Sequence, residues 1–262
     1  MKTTQVTAHS ANFFQDLMTV AKRAVRLALR EPESLIPGII VPLFFFIVNV
    51  GALSDVSDFA GIANYKAFQL PVAIVFAVTG ISRASSLVTD IQSGYFNRLL
   101  ISPVSRRALL LGLMMADFLV VVALSIPVII LGLSLGVTFA SGFFGILVFI
   151  LLAALWGVAF TGFPYAIALK TGNPGAVNSS FLLFFPFAFL TTTFLPKEAL
   201  TGWLAQVASY NPVTYLLAGL RSLTTTGWDL SALLPAIGAI AGVALLSQFM
   251  AFRALNGRTK RK

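Results

Sequence analysis

Long apolar stretches alternate with short polar ones along the chain. Six of the apolar stretches reach the roughly 20 residues a helix needs to cross a bilayer: 35–53, 67–88, 108–135, 142–169, 177–195 and 230–252. The third and fourth are longer than a straight crossing requires, which predicts tilt or extension past the hydrocarbon. Polar segments fill 1–34, 54–66, 89–107, 136–141, 170–176, 196–229 and 253–262. The pattern predicts an all-α integral membrane protein with six transmembrane helices in a single transmembrane domain over 1–262.

Composition agrees. Hydrophobic residues make up 58% of the chain, charged residues 10%, and the mean hydropathy is +0.91; a soluble domain carries about 25% charged residues. The absence of cysteine excludes disulfides, a thiol nucleophile and a thiolate metal site. With His9 the single histidine, no metal site and no catalytic residue are expected. The net charge of +9 raises the question of nucleic acid, but its placement answers it. Lys66, Lys197 and Arg221 fall on one side of the spans, and every other Lys and Arg falls on the other. The positive-inside rule therefore puts both termini and 89–107 in the cytoplasm, as a multi-pass protein of the cell (inner or plasma) membrane. Orientation and contact with anionic lipid account for the basic charge without a nucleic-acid partner. The first apolar run begins at Leu35 and is span-length, so it reads as a retained anchor and no cleavable signal peptide is expected.

Two polar segments have internal order. Before the first span, Phe13, Leu17, Ala21, Ala24 and Ala28 share one helical face while Lys22, Arg26 and Arg30 repeat on another. Asn12 with Gln15 approximates a capping box, and Glu31-Pro32 ends the helix. Such a basic amphipathic helix lies in the membrane interface, as an anchor or as the border of a cytoplasmic partner site. The second segment is the basic island "DIQSGYFNRLLISPVSRR", 90–107. Asp90 to Gln92 finishes one helix and Gly94 permits the turn. "YFNRLLI" then makes one or two helical turns with Phe96, Leu99 and Leu100 as its apolar face, and Ser102-Pro103 stops it. A short helix joined to two spans is a lever.

The pattern Asp90-x-x-x-Gly94-x-x-x-Arg98, followed by Ser102-Pro103-Val104-Ser105-Arg106, resembles the loop between spans two and three of type-2 ATP-binding-cassette (ABC) permeases. It is especially similar to the daunorubicin-resistance-like branch of multidrug exporters. The stretch "FLPKEALTGWLAQVASYNPVTYLLAGLRSLTTTGW", with Asn211-Pro212-Val213-Thr214 and Leu220-Arg221-Ser222-Leu223, resembles the region before their last span. Gln92-Ser93 stand where many such permeases carry a Glu just before the glycine. The resemblance implies that the island is a coupling helix docking on a separate ABC ATP-binding subunit. It makes Asp90, Gly94, Phe96, Arg98, Ser102, Pro103 and Arg106 the ATPase-coupling residues. It further implies two ATPase copies holding ATP and Mg2+, and a second permease chain identical to this one.

The sequence itself carries no nucleotide site of the phosphate-loop type. That loop requires Gly-Lys, and none of the 20 glycines precedes a lysine. No cofactor is expected in this chain. An ion-coupled antiporter is the rival from another class, and it would mark its path with intramembrane acids. Only Asp117 lies inside a span, about 14 Å along it at about 1.5 Å per residue. It binds a cationic substrate or proton, or it hydrogen-bonds a neighbouring span. Arg83, near the end of the second span, is expected to snorkel to the surface.

The segment 196–229 splits at Asn211-Pro212 into two apolar stretches shorter than a span, which predicts a re-entrant hairpin on the outer side, with Asn211, Pro212 and Arg221 as its marked residues. Trp203, Tyr210, Tyr215 and Trp228 suit an interfacial belt. Gly238-x-x-x-Gly242 is a close-packing motif, within the chain or between copies. The resemblance places spans one, two and five at a central interface, which assigns the substrate path to Phe45, Asn49, Asn178, Phe181, Phe185 and Thr192, with Asp117. The expected cargo is a hydrophobic small molecule; a lipid or lipid-linked glycan is the alternative within the class.

Overall fold

The computed structural model describes residues 12–53, 62–101 and 104–260. Its regular elements are helices: α1 Phe13–Arg30, α2 Pro32–Leu53, α3 Tyr65–Thr79, α4 Ala84–Gln92, α5 Tyr95–Ile101, α6 Arg106–Ser134, α7 Gly142–Thr171, α8 Pro174–Ser179, α9 Phe184–Phe189, α10 Gly202–Tyr210, α11 Pro212–Thr225 and α12 Leu230–Lys260. Five runs among the described residues are long and apolar enough to cross a membrane: Leu35–Leu53, Tyr65–Gln92, Arg106–Ser134, Gly142–Thr171 and Leu230–Thr259. The chain is a multi-pass membrane protein.

Two of the expected spans are not continuous helices. The second breaks between α3 and α4, where Gly80 to Arg83 leave the helical path. The amides freed at the start of α4 are satisfied by side chains: Arg83 N donates to Asp117 Oδ1 (2.9 Å) and Ala84 N to Ser82 Oγ (3.1 Å). An acid beside a helix N-terminus is held by those orphan N–H groups and by the helix dipole. The fifth expected span, 177–195, divides into α8, a 3-10 turn over Ser180–Leu183, α9 and an irregular stretch to 195. Pro186 lacks the N–H that would continue the ladder from residue 182. The segment is therefore not a sixth uninterrupted crossing helix.

Two cores hold the bundle. One joins α2, α3, α6, α7, α9, α11 and α12 around Phe46, Ile74, Phe149, Trp156 and Leu220. The other lies at the end bearing the island and gathers Ala24 of α1, Leu87 and Ile91 of α4, Phe96 of α5, Leu113 of α6, Tyr165 and Leu169 of α7 and Leu255 of α12. The apolar face expected for α1 is present: Ala21, Ala24 and Ala28 are buried and Lys22, Arg26 and Arg30 exposed. It rests on α6 at Gly112, where a Cβ would stand 2.9 Å from the Leu17 carbonyl oxygen and 2.7 Å from Val20 Cβ. Only glycine admits that approach.

The small-residue motif of the last span packs differently from one of its two readings. Gly238 and Gly242 have no neighbour within 4 Å of a Cβ position. Instead α12 meets α7 where Gly162 faces Ser247, and meets α11 where Gly219 faces Ala236. The contact glycines sit on the partner helices, so packing within the chain leaves the motif open.

Candidate coupling and transport sites

The island folds as a turn and a helix. Gly94 has φ +75°, a left-handed conformation that any side chain would strain, and α5 covers the expected "YFNRLLI". Arg23 of α1 reaches across to the island and donates from Nη1 to Asp90 Oδ2 (2.9 Å) and from Nη2 to Asp90 Oδ1 (2.8 Å). Its guanidinium also lies 4.3 Å from the centre of the Tyr95 ring. The hydrogen bonds to Asp90 raise the Arg23 pKa above its ordinary value, against the opposing effect of partial burial. On the far side of α5, Ser105 N donates to Asp16 Oδ2 of α1 (3.1 Å). Gln92 donates to the Gly172 carbonyl (3.0 Å), tying the turn to the loop after α7. The island is thus fastened to α1 before and after its short helix.

This geometry sorts the expected coupling residues. Arg98 and Arg106 are exposed, and Asp90 is mostly enclosed by its ion pair. Phe96 is 3% exposed and anchors α5 to the core, the apolar face expected of that helix being turned inward. Ser102 and Pro103 lie outside the described residues. Sequence reading missed Arg23, Asp16, Tyr95 and the 88%-exposed Ile101. Arg23 falls outside the Lys22, Arg26, Arg30 stripe, which was the available signal that it points elsewhere.

A second polar junction is buried. Asp117 is fully enclosed, accepting from Arg83 N on one oxygen and from Tyr165 Oη (2.6 Å) on the other. Arg83 does not snorkel; it is 5% exposed, and Nη1 lies 3.4 Å from Glu31 Oε2 at the α1–α2 joint. The break between α3 and α4 retains it, since its own amide is pinned by Asp117. The junction links the α1–α2 joint, the break in span two, α6 and α7.

The expected path residues do not form one cluster. Phe45 stacks on Phe76 (ring centres 4.9 Å apart), which also meets Phe184 and Phe189 at 5.5 and 5.7 Å. Phe185, half-exposed, stacks on Phe189 (6.0 Å). Asn49 is nearly buried, its amide donating to the Phe45 carbonyl of its own helix (2.7 Å). Phe181 is partly buried. Asn178 is exposed near Ser85 of α4 (3.4 Å). Thr192 is enclosed: its hydroxyl accepts from Arg221 Nη1 (3.0 Å) and its carbonyl from Arg221 Nη2 (2.7 Å). Phe76, Phe184 and Phe189, which connect the aromatic residues, carried no signal distinguishing them from bulk apolar sequence.

The hairpin residues have defined work. Asn211 Nδ2 donates to the carbonyls of Phe187 (2.7 Å) and Leu190 (2.8 Å), left open where α9 ends. Its Oδ1 accepts from Val213 N (2.9 Å), capping α11, whose first residue is Pro212. Arg221 adds a bond from Nε to the Phe68 carbonyl (3.0 Å) and stacks on the Phe68 ring at 3.4 Å. Together they satisfy the backbone of the broken fifth segment and join it to α3.

Comparison with known proteins agrees with this architecture. The family described as ABC-2 type transporter matches residues 15–224. The daunorubicin resistance ABC transporter permease protein DrrB1 of Streptomyces coeruleorubidus is 28% identical over 222 residues, covering 81% of this chain and 77% of the relative. A putative transport permease, ycf38, of Cyanophora paradoxa is 30% identical over 221 residues, covering 80% and 74%. The probable doxorubicin resistance ABC transporter permease protein DrrC of Mycobacterium tuberculosis (strain ATCC 25618 / H37Rv) is 24% identical over 237 residues, covering 88% and 84%. Two of these relatives are named for drug resistance, and all three as permeases. This chain belongs to the ABC-2 type transporter family.

Proposed function

We propose that this chain is the membrane-spanning subunit of an ATP-driven exporter of drugs or other hydrophobic and amphipathic compounds, with ATP and Mg2+ bound by a separate subunit. The observation that carries the reading is the island clamped to α1. A lever must be rigid where it is pushed and linked to what moves. Here exposed Arg98, Ile101, Arg106 and Arg107 ride on a platform anchored by Phe96 and held by Arg23 and Asp16. Two ATPase copies dock there from the cytoplasm, with α1 lying in the membrane interface beside them. Charge placement puts both termini on that side.

The same reading makes the segmented 177–195 run a sixth crossing and α10–α11 a re-entrant hairpin. Asn211 and Arg221 support it, because irregular backbone is tolerated at membrane depth where protein satisfies its polar groups. A second, identical chain packs on the face formed by α2 and α9, where Phe44, Ile40 and Phe185 are exposed. The drug-resistance names of the relatives support a hydrophobic cargo. Asp117, enclosed and doubly hydrogen-bonded, supports ATP drive over an ion path.

The test is reconstitution of the chain with its ATPase in liposomes. Daunorubicin accumulation in inside-out vesicles is expected to require Mg2+ and ATP. Accumulation that persists without nucleotide and collapses with an ionophore would overturn the reading.

A further inference from the structure

The circumference of α1 divides into sectors at about 100° per residue. Ala21, Ala24 and Ala28 are buried against the bundle. Beside them Phe14, Met18, Val25 and Leu29 form an apolar row that the bundle leaves open, Phe14 being 75% and Leu29 70% exposed and Val25 partly so. Beyond that row stand Lys22, Arg26 and Arg30, all exposed. Neither row contains a carboxylate, and among the described residues none of these three cations has an ion pair.

The residues that hold the island fix which way the rows point. Arg23 and Asp16, bonded to Asp90 and to Ser105 N, lie roughly half a turn around the helix from the apolar row. The apolar row therefore faces away from the island. The end of the helix fixes its level: α1 stops at Arg30, just before the crossing run that begins at Leu35. The apolar row is thus turned toward the hydrocarbon, and the cations, roughly a quarter turn away, stand among the headgroups.

Three other occupants fit less well. A soluble partner gripping the island reaches α1 from the side opposite Phe14 and Leu29. A second copy meeting this surface with its own sets cations against cations. A neutral bilayer takes the apolar row and leaves three charges without counter-charge. An anionic leaflet satisfies both rows at once.

We propose that α1 binds the headgroups of anionic phospholipids through Lys22, Arg26 and Arg30 while Phe14, Met18 and Leu29 enter the acyl region, and that this seat fixes the roll of α1 that presents Arg23 to Asp90. A helix free to turn about its own axis carries the Arg23 guanidinium off its two hydrogen bonds; one held by a row in the hydrocarbon and a row on the phosphates does not turn. The lipid contact stands on the geometry of α1. Its consequence for coupling rests on the export reading above.

The chain has no cysteine, so Met18→Cys carries a single bimane label on the apolar row. The full chain is placed in phosphatidylcholine nanodiscs that contain, at equal mole fraction, phosphatidylglycerol or phosphatidylcholine bearing a nitroxide on the acyl chain near the headgroup. Quenching by the glycerol lipid is expected to exceed that by the choline lipid about twofold or more, and to converge on it as salt rises. The triple variant Lys22→Gln, Arg26→Gln, Arg30→Gln should lose the difference and keep the choline-lipid quenching, which shows α1 still seated. Lys22→Arg with Arg26→Lys and Arg30→Lys should keep both. No quenching by either lipid would overturn the proposal and give the surface to a soluble partner. Equal quenching by both lipids with the cations intact, or a difference that survives their replacement by Gln, would also overturn it. In liposomes with the ATPase, transport per ATP hydrolysed should rise when phosphatidylglycerol is included; a ratio indifferent to lipid charge would overturn the link to the clamp. Selective quenching without ATP-driven transport refutes the export reading alone, and coupled transport without selective quenching refutes the lipid surface alone.

Discussion

Arg23 and Asp90, 67 positions apart, face each other through two parallel hydrogen bonds of 2.8 and 2.9 Å. This is the paired geometry in which a guanidinium and a carboxylate fix orientation as well as distance. It fixes the orientation of the island against α1.

Breaking that pair should uncouple the protein more than it destabilises it. For a partly exposed pair the stability change is about 1 kcal/mol or less. Arg23→Ala and Asp90→Ala are each expected to lower transport per ATP hydrolysed by about fivefold or more, the lower end of typical site coupling. The exchanged pair Arg23→Asp with Asp90→Arg should recover part of it. Single variants with unchanged transport-to-hydrolysis ratios would remove the clamp from the mechanism. The raised Arg23 pKa has a definite sign. A cation held above its ordinary value keeps its contribution at all pH below that value and loses it only as pH rises through the folded-state value. Coupling should therefore show no alkaline decline arising from Arg23 near neutral pH.

Gly94 should tolerate no Cβ without cost, and not for want of space. Nothing lies within 4 Å of its Cβ position, but its φ is +75°. Left-handed backbone costs an L-residue about 1–2 kcal/mol, so Gly94→Val is expected to misset α5 and reduce ATP-coupled transport while membrane insertion persists. Insertion by alkaline extraction and transport in vesicles check both halves.

Asp117→Asn replaces one of two acceptors by a donor, facing either Arg83 N or Tyr165 Oη. An unsatisfied buried group costs about 1–3 kcal/mol. Thermal unfolding in detergent should show that loss, and transport of cationic and neutral substrates should fall together. A defect confined to cations would return Asp117 to the substrate path.

Asn211 can be dissected by one atom. Asn211→Asp keeps the acceptor that caps α11 but turns a buried carboxylate oxygen toward the carbonyls of Phe187 and Leu190, where the amide had donated. Asn211→Ala loses all three bonds without that repulsion. An unsatisfied buried group costs about 1–3 kcal/mol, and more when it is charged, so the aspartate variant should be the less stable of the two. An aspartate variant as stable as the unaltered protein, read from unfolding midpoints, would show that the two donated bonds contribute nothing.

Local pattern was sufficient for the parts of this protein that depend on neighbours in sequence. Apolar run lengths placed five of the six expected spans as runs long enough to cross a membrane, the 3.6 period placed the buried face of α1, and Gly94 with "YFNRLLI" placed the turn and α5. Each follows from backbone conformation and bilayer thickness, which act over a few residues at a time. The break in span two was not legible, and Pro186 marked only a kink in span five, because a hydropathy run is blind to which amides and carbonyls find partners. Asp117, 34 residues from Arg83, supplies one set of partners, and Asn211, 24 residues from Phe187, supplies the other. The open Gly238 and Gly242, the inward Phe96 and the Arg23–Asp90 clamp were settled the same way. Which side of a helix meets another element is decided by long-range packing and hydrogen-bond satisfaction, and only the folded chain carries that information.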